Sequence, residues 1–220
     1  LVKCAKVYCV DRLNETSIAT ELSASDRIHR DGVVDSIVRY DACLEFSHET
    51  APDNRLVALV MPLFQMTLSS IIDAFQDNPI SLVLYRSLVK CLVTAAARLH
   101  SLGLVHCDIK PDNVMILDGR FYLIDLGAVR TCGQEVVEFT RGYSMGASHT
   151  CVTSQFDMFC ISNTLSRCCG YDVSPNNNLE RLHRWISFNE SKLDDYLEPI
   201  RICVNEQNGE RALQCLGCFV

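Results

Sequence analysis

The sequence predicts an α+β fold in which a small strand-rich first part precedes a mainly helical remainder. Three observations carry this. Strand-forming runs at Val2–Val10, Ile37–Phe46 and Arg55–Met61 crowd the first part, with one polar helical stretch between them. From Ser81 to Leu102, the residues Leu84, Leu88, Leu92, Ala95, Ala96 and Leu99 recur at helical spacing, as on a helix facing a core. Further on, Val114 to Leu117 and Phe121 to Ile124 flank Asp118-Gly119, the sequence of a tight hairpin.

In chain order, Val2–Val10 is a strand carrying Lys3 and Lys6. Asn14–His29 is a helix, with Thr16 or Ser17 as caps and Gly32 beyond its end. Its Ser23, Ala24, Ser25 and Asp26 leave only a weak apolar stripe. Ile37–Phe46 and Arg55–Met61 pair through a loop from Ser47 to Asn54. Thr67–Phe75 is a short helix, and Ser81–Leu102 is a longer one on which His100 reads as solvated. Leu179–Phe188 and Lys192–Asn205 are two further helices, with Trp185 in the core.

The 220 residues suffice for one large domain or two small lobes. The apolar fraction of 48% and charged fraction of 21% are those of a soluble globular chain. A net charge of −7 argues against a nucleic-acid or anionic-membrane surface, both of which need a basic patch. No apolar run is long enough to span a bilayer, and the first residues do not form a signal peptide. Without an initiating Met, the sequence reads as a fragment or processed product. The thirteen cysteines are scattered through strands and helices, and the single C-x-x-C, Cys215 to Cys218, has no matching pair. They read as buried thiols in a reducing compartment, the cytoplasm or nucleus, rather than as a zinc site.

The chemistry concentrates in Val105-His106-Cys107-Asp108-Ile109-Lys110-Pro111-Asp112-Asn113, followed by Tyr122-Leu123-Ile124-Asp125-Leu126-Gly127. The first run resembles the H-R-D-x-K-x-x-N catalytic loop of eukaryotic-type protein kinases and the second their D-F-G element. The resemblance implies a two-lobed kinase fold: a small β-rich N-lobe over residues 1–61, a hinge over 62–65 and a mainly helical C-lobe over 66–220. It implies ATP and Mg²⁺ as the nucleotide and metal, and a protein Ser/Thr hydroxyl as acceptor. Asp108 would accept the acceptor's hydrogen bond and aim it, and Lys110 would place a cation on the γ-phosphate. Asn113 and Asp125 would offer hard oxygens to magnesium, brought to one edge by the hairpin.

The same resemblance extends outward. Lys6 stands as the lysine of a V-A-x-K strand, with Glu21 of the following helix as its partner and Cys4 in the place of the alanine against adenine. Val60 would flank the adenine pocket, Met115 would close it from below, and Pro62 removes one backbone donor at the hinge. His106 takes a structural place beneath Asp125-Leu126-Gly127. Thr140 in Thr140-Arg141-Gly142-Tyr143 would bond Asp108 and Lys110, favouring Ser/Thr over Tyr acceptors. Asp157 would accept backbone N–H groups of the catalytic loop.

Departures from the pattern are as informative. Cys107 replaces the arginine that receives a phosphorylated activation loop, implying a constitutively set or partner-controlled kinase. Ser25 stands where a hydrophobic residue docks the helix, and Met145-Gly146-Ala147 stands for A-P-E. No G-x-G-x-x-G precedes Lys6, so the N-lobe reads as truncated, with the glycine-rich hairpin absent. Such divergence resembles fast-evolving kinases of the kind large DNA viruses carry, which would place the protein in an infected host cell. The Asp-Ile-Lys-Pro-Asp-Asn and Ile-Asp-Leu-Gly runs are also locally similar to mitotic-checkpoint Bub kinases. A serine/threonine kinase is therefore the leading expectation. A kinase-fold scaffold that docks a regulatory partner is the alternative. A small-molecule kinase of the aminoglycoside type is disfavoured by Lys110.

Overall fold

The computed structural model describes residues 2–10, 14–32, 34–48, 51–76, 78–135, 139–144, 151–206 and 208–217. Strands β1 (Lys3–Cys9), β2 (Ala42–His48) and β3 (Ala51–Pro62) form an antiparallel sheet in the order β1-β3-β2. Burial alternates along β1: Cys4, Lys6 and Tyr8 are half-buried, while Lys3, Ala5, Val7 and Cys9 are exposed. That period of two is what a half-buried strand requires. The register pairs Cys4 with Met61, Lys6 with Leu59 and Tyr8 with Val57, so these six share one face. β2 and β3 are longer at their joined ends than the sequence suggests, so the expected loop from Ser47 to Asn54 is mostly strand. Ile37 is not part of β2; it forms an isolated parallel bridge to Leu123.

Helix α1 (Asn14–His29) lies against this sheet. Its buried residues, Ile18, Glu21, Ala24, Ser25, Ile28 and His29, fall at helical spacing with a carboxylate in the middle. The helix ends where Arg98 donates from Nε (3.0 Å) and Nη2 (2.7 Å) to the Ile28 carbonyl, satisfying an otherwise orphaned acceptor. The segment after α1 then straps the sheet to the rest: Val38 N–H donates to Leu123 O (2.8 Å) and Leu123 N–H to Ser36 O (2.9 Å).

The remainder comprises β4 (Met66–Thr67), α2 (Leu68–Phe75), α3 (Leu82–Ser101), β5 (Leu104–Val105), β6 (Val114–Leu117), β7 (Arg120–Leu123), β8 (Arg130–Thr131), α4 (Ser154–Arg167), α5 (Leu179–Asn189), α6 (Asp194–Asn205) and α7 (Gly209–Cys215). Short 3₁₀ turns cover Pro111–Asn113 and Leu126–Ala128. Strands pair as β4-β6-β7 and β5-β8. On α3, Leu88, Leu92, Ala95, Ala96 and Leu99 are fully buried, the stripe the sequence predicts; each buried Leu contributes about 2–3 kcal/mol of apolar burial. α3 packs against α4 and α7. Trp185 sits at the rim rather than in the core, half-buried against the Tyr171 ring at 5.0 Å. The mixed, small-sheet-plus-helices architecture is the two-lobed one expected. Among the described residues no helix is long and apolar enough to cross a membrane.

Candidate active site

The β6–β7 hairpin positions the site. Asp118 and Gly119 both take positive φ (49° and 75°), the turn a two-residue hairpin needs, and Gly and Asp are residues that tolerate it. Val114 pairs with Leu123, and Ile124 N–H donates to Asn113 O (2.9 Å). Asn113 and Asp125 therefore stand at the same edge, at opposite ends of one hairpin.

The loop before the hairpin closes on itself around Asp108. Its Oδ2 accepts from Lys110 Nζ (2.8 Å) and Asn113 Nδ2 (2.9 Å), and its Oδ1 from Thr140 Oγ1 (2.6 Å). Lys110 Nζ also donates to Thr140 Oγ1 (2.7 Å), and Asn113 Nδ2 to the Asp108 carbonyl (2.8 Å). Because Nδ2 makes both bonds, the Asn113 carboxamide oxygen is left as an acceptor with no hydrogen bond from the described residues. Asp108, Lys110, Asn113 and Thr140 thus meet in one polar cluster.

A second cluster hangs from β1. Lys6 Nζ donates to Asp125 Oδ1 (2.6 Å) and to both oxygens of Glu21 (3.3 and 3.4 Å). Burial works against the Lys6 charge, but the carboxylates of Glu21 and Asp125 outweigh it and hold the ammonium above the ordinary lysine value. Burial likewise pushes the Asp125 carboxyl up, and the Lys6 ammonium more than offsets it, leaving the acid below its usual range. Asp125 itself sits in the left-handed region (φ 63°). Two residues on, a Cβ at Gly127 would lie 2.8 Å from Ser17 Oγ on α1, so a larger residue there would have to turn the Ser17 side chain aside. Lys6, Tyr8, Ser17, Asp108, Asp125 and Gly127 line one cleft of about 240 Å³.

His106 and Asp157 hold the loop from beneath. The His106 Nδ1 accepts from Asp108 N–H (3.3 Å), which makes Nε2 the donor to Ile124 O (3.2 Å). Asp157, fully buried, accepts from His106 N–H (2.8 Å) and Cys107 N–H (2.9 Å). It also meets His100 Nε2 at 3.1 Å, while His100 Nδ1 accepts from Gly209 N–H (2.8 Å). The His100 side chain is therefore buried and bonded on both nitrogens, not solvated. Cys107 is buried in the left-handed region (φ 69°), where burial pushes its thiol up. Cys91, Cys160, Cys168, Cys169 and Cys203 are likewise buried, and no metal-holding cluster of His, Cys, Asp or Glu occurs among the described residues.

The adenine-side assignments need one correction. Val60 pairs with Ala5 on the face opposite Lys6; Met61 pairs with Cys4 and shares the cleft face. Strand residues alternate, so a one-residue slip in reading the strand moves the side chain to the other side. Cys4 Sγ donates to Pro62 O (3.3 Å), and Met115 is half-buried on β6, paired with Thr67. Past Thr140, the Gly142 carbonyl accepts from Asn177 Nδ2 (2.9 Å) and the Tyr143 carbonyl from Asn163 Nδ2 (3.3 Å). These asparagines anchor the segment, a role that nothing in their local sequence announces. Met145-Gly146-Ala147 and Cys218 lie outside the described residues.

Two hard oxygen groups at one edge, Asn113 and Asp125, and two ammonium groups, Lys6 and Lys110, make a donor set that fits magnesium and a polyphosphate.

A family model described as the protein kinase domain matches residues 1–165. The chain is 28% identical over 152 residues to the serine/threonine-protein kinase SBK1 of Mus musculus, covering 68% of this chain and 33% of that one. It is 28% identical over 119 residues to homeodomain-interacting protein kinase 1 of Mus musculus, covering 52% and 9%. It is 26% identical over 133 residues to the serine/threonine-protein kinase mph1 of Schizosaccharomyces pombe, covering 60% and 18%. The chain spans about a third or less of the length of these relatives.

Proposed function

The chain belongs to the protein kinase family, and from that premise we propose that it is an ATP- and magnesium-dependent serine/threonine kinase. The observation that carries this is that Lys6, Asp108 and Asp125 line one cleft, with Lys110, Asn113 and Thr140 hydrogen-bonded to Asp108. ATP would supply the phosphoryl group and magnesium would neutralise its charge. Asn113 and Asp125 are the metal-holding residues, and Lys6, kept in place by Glu21, is the cation for the nucleotide phosphates. Cys4, Met61 and Met115 would offer apolar surface to the base.

The chain's own groups then do two things. Asp108 Oδ1, which holds the Thr140 hydroxyl at 2.6 Å, is set to accept an equivalent hydrogen bond from an acceptor hydroxyl and orient it. Lys110, between Asp108 and Thr140, puts positive charge where negative charge develops. A small aliphatic hydroxyl matches the one Thr140 already presents, which favours Ser and Thr acceptors in a protein substrate. We place the protein inside the cell, in the cytoplasm or nucleus, where its buried thiols stay reduced.

The test is phosphate transfer from Mg-ATP to a generic Ser/Thr substrate by the parent and by Asp108→Asn. Loss of the base and orienting group lowers the rate by about 10²–10⁴-fold. If the parent transfers nothing under conditions where it binds ATP, the kinase-fold scaffold replaces this reading.

A further inference from the structure

The cleft depends on a carboxylate that is completely buried. Glu21 is 0% exposed, yet it lies in the middle of the inward face of α1, flanked there by the small residues Ala24 and Ser25. Both ends of its environment are polar by design of the sheet rather than of the helix. The Tyr8 hydroxyl, from β1, donates to Glu21 Oε2. The Tyr40 hydroxyl, from the segment just before β2, donates to Glu21 Oε1. Lys6 Nζ reaches the same two oxygens from the cleft side at 3.3 and 3.4 Å, and lies 5.0 Å from the centre of the Tyr8 ring.

The distances rank these partners. Lys6 is nearer Asp125 (2.6 Å) than either oxygen of Glu21, so the ammonium alone is a divided partner for the buried acid. A buried carboxylate left with half a partner is costly, and the cheapest relief is outward movement of the helix into water. The far end of α1 is tied down by Arg98 on the Ile28 carbonyl, but that bond lies two turns from Glu21. Apolar docking near Glu21 comes from Ile18 and Leu22 against Val57 and Leu59 on its N-terminal side, whereas Ala24 and Ser25 on the C-terminal side bury little surface.

We propose that Tyr8 and Tyr40 are positioning residues: their hydroxyls clamp Glu21 and so hold α1 inward, setting the Lys6–Glu21 pair without any modification of the activation segment. This rests on the kinase reading and adds its control. Cys107, a buried thiol, stands where a phosphate-receiving arginine would be, so the helix is held from the sheet side instead. Burial and the neighbouring carboxylate push both phenols above the ordinary tyrosine value, so they remain donors at all physiological pH values. The clamp is therefore permanent rather than switched.

The test compares Tyr8→Phe, Tyr40→Phe and the double variant with Tyr196→Phe, which removes a remote hydroxyl bonded to Ile80 O (2.9 Å). Two readings are taken on each. One is hydrogen exchange across residues 14–29; the other is the KM for ATP and kcat in the transfer assay. Each clamp variant is expected to raise the KM for ATP by about tenfold, the loss of one hydrogen bond to a charged group, and to speed exchange in α1. In the double variant α1 exchange approaches that of exposed helix, while Tyr196→Phe leaves both readings as in the parent. Unchanged α1 exchange and unchanged KM in the double variant would overturn the proposal. A parent without transfer activity would count against the kinase reading alone, because the exchange measurement still decides whether the clamp holds the helix. A double variant that fails to fold leaves the decision to the two single variants, read in the same way.

Discussion

Asp157 shows how much of the site hangs on one side chain that touches no reactant. Its two oxygens accept from the backbone of His106 and Cys107 and face His100 Nε2. Replacing it by Ala leaves these donors buried and unsatisfied, at about 1–3 kcal/mol for each lost partner. Asp157→Ala should therefore lower the midpoint of urea unfolding and disorder the loop that presents Asp108; retention of the parent midpoint would refute the role. At this scale the sequence was most legible where chemistry confines residue types to a short window. Asp108, Lys110, Asn113 and Asp125 stand together as expected because a loop and a hairpin fix their geometry locally. Bonds between distant positions were not legible: Tyr40 meets Glu21 across 19 residues and His100 meets Asp157 across 57. A helix histidine reads as solvated until its partner is known. Val60 was misplaced for a different reason, strand parity, which no single strand declares.

At the level of elements, α1 is the part whose position matters most, and its C-terminus contains a titrating group. His29 Nδ1 accepts from Val34 N–H (3.2 Å), so Nε2 donates to Val38 O (3.0 Å), an arrangement that requires the neutral ring. Burial lowers its pKa below 6.5, helped by Arg39 and Arg98 against the Val38 bond. The unfolded chain then takes up the proton first, so the contribution is complete above the unfolded value and is lost as pH falls through the folded one. The fall in thermal midpoint from about pH 7 to pH 5 should be smaller in His29→Gln, which keeps a donor but cannot titrate. An equal fall in both would dismiss His29 as the sensor. The bounds of α1 match the helical run read from the sequence, but Thr16 and Ser17, read as caps, lie inside its first turn. α7 was not readable, because it is short and is held by closeness rather than pattern: a Cβ on Gly209 would lie 2.3 Å from Ala97 N on α3. Gly209→Ala should cost about 1–3 kcal/mol of stability, read as a lowered unfolding midpoint. The same change disturbs the N–H that Gly209 gives to His100, and through it Asp157.

Across the whole molecule, two layers meet at the cleft, and three of the contacts that join them differ in kind. One is the strap from Ser36 to Val38 onto β7; another is Arg98 on the end of α1; the third is the ion pair from Lys6 to Asp125. The first two are fixed packing. The third joins groups that the proposed function assigns to nucleotide and metal, so the contact between the layers is also the working contact. The fold was legible because strand and helix patterns segregate along the chain. How α1 sits on the sheet was not, since that depends on tyrosines whose partners only the folded chain reveals. The most direct test of the central claim is calorimetric titration of ATP with Mg²⁺ and with EDTA, on the parent and on Asp125→Asn. Magnesium should tighten ATP binding in the parent by at least about tenfold, and the gain should disappear in the variant. Equal ATP affinity with and without magnesium in the parent would contradict that claim.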